Sequence, residues 1–311
     1  MAMYNGERFL EEQLESINDQ TFRPYELIII DDCSKDASVN IVKRYSEEVS
    51  FPVRLHLNSK NIGSTLTFCK AISLSEGDVV VLCDQDDLWV EDRLEKIKSA
   101  FEEDYSRVGV YSNASLIDQD GNYLGRNLWS SLSIKNDEFK ALATGGYSAF
   151  SVLLARNVIT GAAFAFKKRY VQSCQKFPES WVHDAWIAIN VVRSGPIHCI
   201  PECLVKYRQH DGNQIGLNQI STFGRLIARL KFRSEDYFIG LISDRKILLD
   251  YLVNSGEDEV FSNLVGDAVT HFKSRVEGKR NRFIFVRELI YGRYHKFSSG
   301  FSSFVKDFLG F

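Results

Sequence analysis

The sequence has no hydrophobic run of membrane-spanning length, no signal-peptide pattern, no strong net charge and no internal repeat. The first absence excludes a helical membrane span within these residues, because such a span needs about 20 consecutive apolar residues. The formal net charge of −3 argues against a nucleic-acid-binding protein, since such domains are typically strongly basic. The lack of repeats excludes a solenoid or a propeller.

Cysteine pairs with the spacing of zinc or redox motifs are also missing. None of the six cysteines forms a CxxC pair, and three of them lie in or beside apolar strand patterns. We therefore expect reduced thiols in the core of a cytoplasmic protein. A metal site that uses Cys199 and Cys203 with distant partners is the alternative reading of their CxxxC spacing.

What is present is an ordinary globular composition, 44% hydrophobic and 25% charged over 311 residues. In the first third of the chain, apolar strand-like runs alternate with segments of helical periodicity. The strand-like runs are 25–30, 52–57, 79–83 and 108–113, and the helical segments are 7–18, 34–45, 64–74 and 91–101. Nearly continuous apolar strands separated by helices predict an α/β fold with a parallel sheet covered on both faces.

This alternation stops after about residue 114. The polar segment 126–150 predicts a mobile loop, and the run 157–166 predicts a strand in which Gly161 allows close approach of backbone or ligand. From about residue 222 the pattern is mostly helical. The length suits one large domain with an appendage, or two domains.

Two predicted strands end in carboxylates. Asp31 and Asp32 follow the run 25–30, and Asp84, Asp86 and Asp87 follow the next-but-one strand. Ligands of open α/β sheets bind beyond the carboxyl ends of the strands. Like charges this close repel, and hard divalent cations prefer carboxylate oxygen. We therefore predict a cation site at this edge, with helix capping as the alternative.

Several sequence blocks, in this order, resemble family 2 inverting glycosyltransferases. The blocks are YNGERFLEEQLESINDQTF, LIIIDDCSKD, NIGSTLTFCKA, GDVVVLCDQDDLW, HDAW and YRQHDGN. CDQDDLW and YRQHDGN look most like bacterial rhamnosyltransferase-type members that build surface polysaccharides. The resemblance covers residues 1–215 and implies a GT-A fold there, with a nucleotide-binding half at 1–113 and an acceptor half at 114–215. A helical C-terminal extension at 216–311 would follow.

The resemblance implies a nucleotide-diphosphate sugar donor, linked to dTDP or UDP, such as dTDP-rhamnose. By resemblance, Asp32, together with Asp31, accepts a hydrogen bond from the base, and Tyr4 stacks on it. Ala2 and Asn61 would also contact the nucleotide sugar. The alternatives are a core position for Tyr4, a helix cap for either Asp and a solvated turn for Asn61.

The same resemblance makes Asp84, Asp86 and Asp87 the family's DxD element, with Mg²⁺ or Mn²⁺ as the cofactor. We expect Asp86 or Asp87 nearest the metal, Asp86 also at the nucleotide sugar, and Asp84 nearer the ribose. His210 would reach the metal or the diphosphate, and Arg208 would pair with phosphate. A structural role is the alternative for His210 and Arg208.

An inverting transfer needs a general base within hydrogen-bond reach of the acceptor hydroxyl. Asp184 matches the family's base, with the N-cap of the following helix as the alternative. His183, Trp89, Trp181 and Trp186 are candidates for the acceptor pocket, although tryptophan is also core material. The implied acceptor is a glycan or a lipid-linked saccharide.

The chain begins close to the end of its first predicted strand. Only Met1–Met3 precede the Tyr4 block, whereas a strand of typical length needs several more residues. We expect either a very short first strand or a natural start codon upstream, which intact-mass analysis of the native protein would test.

The C-terminal region is basic and aromatic. The segment 268–311 carries nine Lys or Arg against three Asp or Glu. Phenylalanines with helical spacing occur at Phe297, Phe301, Phe304, Phe308 and Phe311, and nearby basic residues are Lys279, Arg280, Arg282, Arg287, Arg293 and Lys296. One apolar stripe beside basic residues favours peripheral binding to the cytoplasmic face of the inner membrane. Packing on the protein's own core or in an oligomer is the alternative.

Three other functional classes fit the sequence less well. A sugar-1-phosphate nucleotidyltransferase would have a glycine-rich and basic loop after the first strand. The segment YNGERFL at this position is not such a loop. A phosphoacceptor receiver domain is shorter and has no counterpart of HDAW. A non-catalytic sugar-binding module would not need Asp184.

Overall fold

The computed structural model describes residues 1–171, 177–211, 235–256, 259–278, 281–298 and 300–309. The chain forms two compact units. The first comprises 1–146 and 158–217, and the second comprises 147–157 and 218–311. The predicted division at residue 215 lies outside the described residues. The sequence pattern gave no sign that 147–157 would belong to the second unit.

The first unit holds the alternating part of the chain. Its strands are β1 (Ala2–Met3), β2 (Leu27–Asp31), β3 (Val53–Leu57), β4 (Val79–Val81), β5 (Leu88–Trp89), β6 (Gly109–Ile117), β7 (Tyr123–Asn127), β8 (Phe164–Lys167) and β9 (Ile197–Arg208). Its helices are α1 (Leu10–Asn18), α2 (Ser38–Glu48), α3 (Ser64–Leu74), α4 (Arg93–Glu103), α5 (Leu128–Ser131), α6 (Asn136–Thr144) and α8 (His183–Val191). α7 (Gly146–Ala155) lies almost entirely in the second unit. The predicted alternation of strands and helices is confirmed.

The strands form two sheets. β1, β2 and β3 are parallel neighbours in one sheet, and the other has the order β4-β8-β6-β9-β5, with β7 beside β6. In the second sheet only β6 and β9 are parallel, and the remaining pairs are antiparallel. The prediction of a parallel sheet therefore holds for the first sheet and is wrong for most of the second. Antiparallel neighbours do not need helical crossovers, so periodicity does not reveal them.

Amphipathic helices cover these sheets. Ala71 and Leu74 of α3 pack on Ile28 and Ile30 of β2. From α4, the apolar positions 97, 100 and 101 recur at helical spacing and pack on β6, β8 and β9. These contacts fix the strand ends that carry the acidic loops.

The segment 126–150 is not the mobile loop that its polarity predicts. It contains the end of β7, the helices α5 and α6, and the start of α7. Asn127 caps α5, because its side chain accepts a hydrogen bond from the Ser130 amide. Likewise, 157–166 is not one strand: a 3-10 turn at Gly161–Ala163 precedes β8.

A cavity of about 760 Å³ separates β2 from β4 inside the first unit. Its walls include Leu27, Ile28 and the valines of β4. β1 pairs with Ile30 and Asp31, so no strand of the described residues pairs with the first half of β2 on this side. The Met1 ammonium is buried here, donates to the Ile28 carbonyl at 2.7 Å, and has a pKa lowered by burial. Within the given sequence the first strand comprises only Ala2 and Met3.

An apolar extension of four β-branched residues joined ahead of Met1 is expected to stabilise the protein. It would pair with β2 and β4, fill the cavity and replace the buried ammonium by a peptide bond. Burying each large side chain contributes roughly 1.5–3 kcal/mol before the entropy of ordering, so we expect a gain of about 2 kcal/mol or more. Urea unfolding measures it, with a Gly/Ser extension of the same length as the control. Equal stability of the two extended proteins would contradict the expectation.

The second unit is helical. Its main helices are α7, α9 (Glu235–Asn254), α10 (Glu259–Glu277), α11 (Phe283–Ile290), α12 (Arg293–Phe297) and α13 (Phe301–Leu309). Buried polar side chains tie it together: His271 contacts Glu288 at 3.2 Å, and Asp307 accepts hydrogen bonds from Arg275 and Tyr294. Within the described ranges, every helix is too short or too polar to cross a bilayer.

The predicted phenylalanine stripe is not on one helix. Gly300, with φ +62°, separates α12 from α13, so Phe297 and Phe301 belong to different helices. Phe297 is buried in the unit's core, whereas Phe301 is largely exposed. Phe311, Lys279 and Arg280 lie outside the described residues. The single-stripe prediction is therefore wrong for Phe297, which packs on the protein's own core.

Candidate nucleotide-sugar site

The acidic loop after β4 is fastened to the loop after β1 by one amide side chain. Gln85 accepts a hydrogen bond from the Tyr4 amide at 2.9 Å and donates to the Tyr4 carbonyl at 3.1 Å. A Cβ at Gly6 would lie 2.5 Å from the Gln85 oxygen, so only glycine leaves room for this contact. Apart from the position of Gln85 inside the acidic block, nothing in the sequence indicates this contact.

Two carboxylates of this loop, Asp84 and Asp87, have a raised pKa, because they are buried and lie near other negative charges. Burial, followed by the charges of Asp86 and Asp184, raises the pKa of Asp84 to about 7. Burial, Asp86 and Asp84 likewise raise the pKa of Asp87 well above its ordinary value. The three predicted acids and Asp184 therefore share one electrostatic environment, in which positive charge is favoured.

Part of that positive charge comes from a residue that the sequence did not single out. Arg93, the first residue of α4, is fully buried, donates to the Ala162 carbonyl at 2.7 Å and stacks over Trp89. Burial lowers its pKa to about 10, against the raising effect of Cys83, Asp87 and Asp84. The sequence contains a weak indication of this burial, because the helical periodicity of α4 places Arg93 on the same face as its apolar residues.

Asp86 and His210, which were both expected at the metal, lie side by side. The His210 Nε2 atom lies 2.8 Å from Asp86 Oδ2, and the His210 ring packs beside Phe9. Both side chains retain some exposure, which leaves them accessible to a ligand. A carboxylate oxygen and an imidazole nitrogen at this separation are suitable donors for Mn²⁺ or Mg²⁺.

Asp87 has a different position from Asp86. It is buried, and its Oδ1 accepts a hydrogen bond from the Arg208 amide at 2.9 Å. Its Oδ2 is buried and has no hydrogen-bond partner among the described residues. No group of three His, Cys, Asp or Glu side chains in the described ranges converges as a metal site. A cation would fit Asp86 and His210, with water and phosphate completing its shell, as is usual for Mg²⁺.

Arg208 does not face a phosphate site. Its side chain is 1% exposed, and its guanidinium donates to the Asp86 carbonyl, the Gln119 carbonyl and the Glu12 carboxylate. The ring of Phe9 lies against it, 4.7 Å away. The predicted pairing with phosphate conflicts with these contacts. Arg208 instead holds the acidic loop against β9, and Glu12 is a partner that the sequence did not indicate.

The residues predicted at the base lie around the ends of β1 and β2. Tyr4 is 47% exposed, and Ala2 pairs with Ile30 in the parallel ladder. Asp32 is buried, and both of its oxygens accept hydrogen bonds from the loop before α3, including the Gly63 amide at 2.8 Å. Asn61 belongs to that loop and donates to the Asp32 carbonyl.

Asp31 is the less occupied of the two strand-end acids. Among the described residues, its carboxylate accepts hydrogen bonds from the Ser34 amide alone, at 3.1 Å to Oδ2. Neither acid caps α2, where Asp36 instead bonds the Ser38 amide. The structure thus gives Asp32 a loop-organising position and leaves Asp31 with spare acceptor capacity.

Asp184 lies in the first turn of α8 and is not its N-cap, which is Val182. It is buried, and its Oδ2 accepts a hydrogen bond from the Gly161 amide at 2.9 Å. A Cβ at Gly161 would lie 3.0 Å from the His183 ring and 3.3 Å from Asp184, so the expected close approach at this glycine is present. The charge of Asp184, after burial and the charge of Asp86, helps to raise the pKa of Asp84 in the acidic loop.

The remaining acceptor-pocket candidates are buried. The His183 ring stacks on Phe68 at 4.0 Å, and burial lowers its pKa to about 3, so it is neutral. Trp181 and Trp186 pack edge to face, 5.2 Å apart, and Trp89 lies under Arg93. The acceptor-pocket prediction for the three tryptophans conflicts with this burial. Tryptophan stabilises the core through its large apolar area, and here that role prevails.

Comparison with known proteins identifies the family of the chain. The model of the family "Glycosyl transferase family 2" matches residues 1–159. The chain is 28% identical over 234 residues to the dTDP-rhamnosyl transferase RfbG of Shigella flexneri, covering 70% of this chain and 74% of RfbG. It is 30% identical over 135 residues to TuaG of Bacillus subtilis, covering 43% of this chain and 53% of TuaG. The chain thus spans little more than half the length of that relative.

Solved structures share the fold. TarS of S. aureus in complex with UDP-GlcNAc aligns with a TM-score of 0.59 at 17% identity, covering 98% of this chain and 79% of TarS. The mannosyltransferase PcManGT of Pyrobaculum calidifontis, in complex with GDP-Man and Mn²⁺, aligns with a TM-score of 0.51 at 16% identity, covering 92% and 73%. The predicted GT-A fold is confirmed by these similarities.

Proposed function

Because the chain belongs to glycosyl transferase family 2, we propose that it transfers a sugar from a nucleotide-diphosphate donor to an acceptor hydroxyl with inversion. The observation that carries the proposal is the meeting of Asp86 and His210 at 2.8 Å, with Asp184 in the same electrostatic environment. RfbG is named for dTDP-rhamnosyl transfer, which supports a dTDP-linked donor, and UDP is the alternative. The acceptor is a glycan or a lipid-linked saccharide of a bacterial surface polysaccharide, reached from the cytoplasm.

Different residues act on the two faces of the donor sugar, one set on the departing diphosphate and Asp184 on the acceptor. Asp86 and His210 would hold Mn²⁺ or Mg²⁺, and that ion supplies the positive charge that stabilises the departing diphosphate. Tyr4 and Asp31 bind the base, and Asp32 positions the Asn61 loop beside it. Asp84 contacts the ribose, and Arg208 keeps the acidic loop in place.

Asp184 acts on the acceptor. It takes the proton of the acceptor hydroxyl while the oxygen forms its bond to the anomeric carbon, and the bond from that carbon to the diphosphate breaks. The attack and the departure occur on opposite faces, so the configuration inverts.

Metal-dependent nucleotide binding tests the proposal. Calorimetric titration of dTDP and UDP, with and without Mn²⁺, is expected to show binding that weakens at least about ten-fold when EDTA replaces the metal. Asp86→Asn is expected to lose this metal dependence, because a neutral amide does not replace the carboxylate charge. Asp120→Asn, in the exposed turn after β6, is the matched control.

Equal binding with EDTA and with Mn²⁺ would contradict the assignment of Asp86 and His210. Tight binding of neither nucleotide under any metal condition would contradict the donor class itself. A preference between dTDP and UDP would identify the nucleotide of the donor, because the two differ at the thymine methyl group and at the ribose 2′-hydroxyl.

A further inference from the structure

One face of the second unit combines exposed apolar side chains with basic ones. α11 places Phe283, Arg287 and Ile290 on one side, at positions i, i+4 and i+7, and Tyr291 follows at i+8. Phe283, Ile290 and Tyr291 are 83%, 77% and 64% exposed. Together with the exposed Arg282, these residues are called the α11 face.

The other side of α11 packs against the unit's interior. Phe285 is buried, and the buried Glu288 contacts His271 and Arg293. α11 is therefore apolar on both sides, although one side faces water. A helix of this kind normally has a second apolar environment on its open side.

The α11 face continues onto the last helix. The Arg282 guanidinium lies 6.0 Å from the Phe308 ring of α13. α13 adds Phe301 and Leu309, which are both more than half exposed, and the exposed Lys306. The surface is thus larger than a single helix side.

The charges on this surface have one sign. In 281–298 and 300–309 the acidic residues are Glu288 and Asp307 alone. Glu288 is buried, and Asp307 is held by Arg275 and Tyr294. Arg282, Arg287 and Lys306 are exposed, so the exposed charged side chains of these two ranges are all basic, while Glu277 at the end of α10 is exposed just outside them.

We propose that the α11 face docks on an anionic lipid surface, with Phe283 and Ile290 inserted among the lipid headgroups and Arg282 and Arg287 at the phosphates. Apolar side chains ringed by basic ones match such a surface in both polarity and charge. The proposal extends the function proposed above, since a lipid-linked acceptor lies at a membrane, but its test requires no sugar transfer. The site differs from the phenylalanine stripe that the sequence suggested, because it is centred on α11, where Phe283 is the most exposed aromatic residue among those that the structure describes.

Vesicle sedimentation of the full chain tests the proposal. Wild type is expected to bind vesicles of phosphatidylcholine with about one third phosphatidylglycerol, and to bind pure phosphatidylcholine vesicles several-fold less. Phe283→Ser/Ile290→Ser is expected to weaken binding about ten-fold or more, since both inserted side chains are lost. Arg282→Gln/Arg287→Gln is expected to remove most of the preference for the anionic vesicles.

The matched control is Ile239→Ser/Val253→Ser, which removes two exposed apolar residues of α9 in the same unit. It is expected to bind vesicles like wild type. Equal weakening in the control and the α11 variant, or no binding of wild type to anionic vesicles, would overturn the proposal. A wild-type dimer in sedimentation velocity that the α11 variant converts to monomer would also overturn it, in favour of a second copy as the occupant.

Discussion

The variant Asp184→Asn is expected to lower the rate of sugar transfer by about 10²–10⁴-fold, the usual contribution of a general base. The asparagine keeps an oxygen that can accept the Gly161 amide hydrogen bond, so the start of α8 should keep its conformation. It cannot take a proton from the acceptor hydroxyl. Nucleotide binding should persist, and it should tighten slightly, because one negative charge near Asp84 is removed.

The rate is measured as nucleoside diphosphate release from a donor on which the wild-type protein is active, and binding is measured by calorimetry. Glu179→Gln, an exposed neighbour ahead of α8, is the control for a charge change in this region. A transfer rate within a few-fold of wild type would remove Asp184 from the base position. Loss of nucleotide binding together with activity would indicate a structural role instead.

The sequence predicts strands and helices correctly where their positions follow from the local periodicity of apolar residues. Apolar runs that alternate with helical segments located β2, β4 and their helices. Asp86 lies beside His210, which comes from a block 124 residues away. Only the order of sequence blocks, and their resemblance to a family, could link those two residues. Periodicity gives no information about contacts between distant segments.

The failures have a common physical origin. Arg208, Trp89 and Trp186 were placed at ligands because their types often bind phosphate or sugar, yet each is buried by tertiary contacts that pattern does not show. Burial of an arginine depends on acceptors that come from elsewhere, here Glu12 and the Gln119 carbonyl. The tail prediction failed at Gly300, whose left-handed conformation interrupts the helix.

Arg93→Met is expected to destabilise the protein by about 3–5 kcal/mol, the usual cost of removing one partner from a buried charge cluster. Methionine has a similar length and packs well, so lost volume contributes little. The cost arises because Asp84 and Asp87 lose the buried cation that opposes their mutual repulsion. Urea unfolding measures the change, and Lys98→Met, from an exposed ion pair on the same helix, should cost at most about 0.5 kcal/mol.

A second substitution separates charge from packing. In Arg93→Met/Asp87→Asn the uncompensated carboxylate is gone, while the asparagine oxygen can still accept the Arg208 amide. The double variant should therefore recover part of the stability lost by Arg93→Met, which a double-mutant cycle reports as a coupling energy of about 1 kcal/mol or more. Additive losses would mean that Arg93 acts through its contacts with Trp89 and Ala162. Added Mn²⁺ offers an independent comparison: if Arg93 and a bound cation oppose the same repulsion, the metal should stabilise Arg93→Met more than it stabilises wild type.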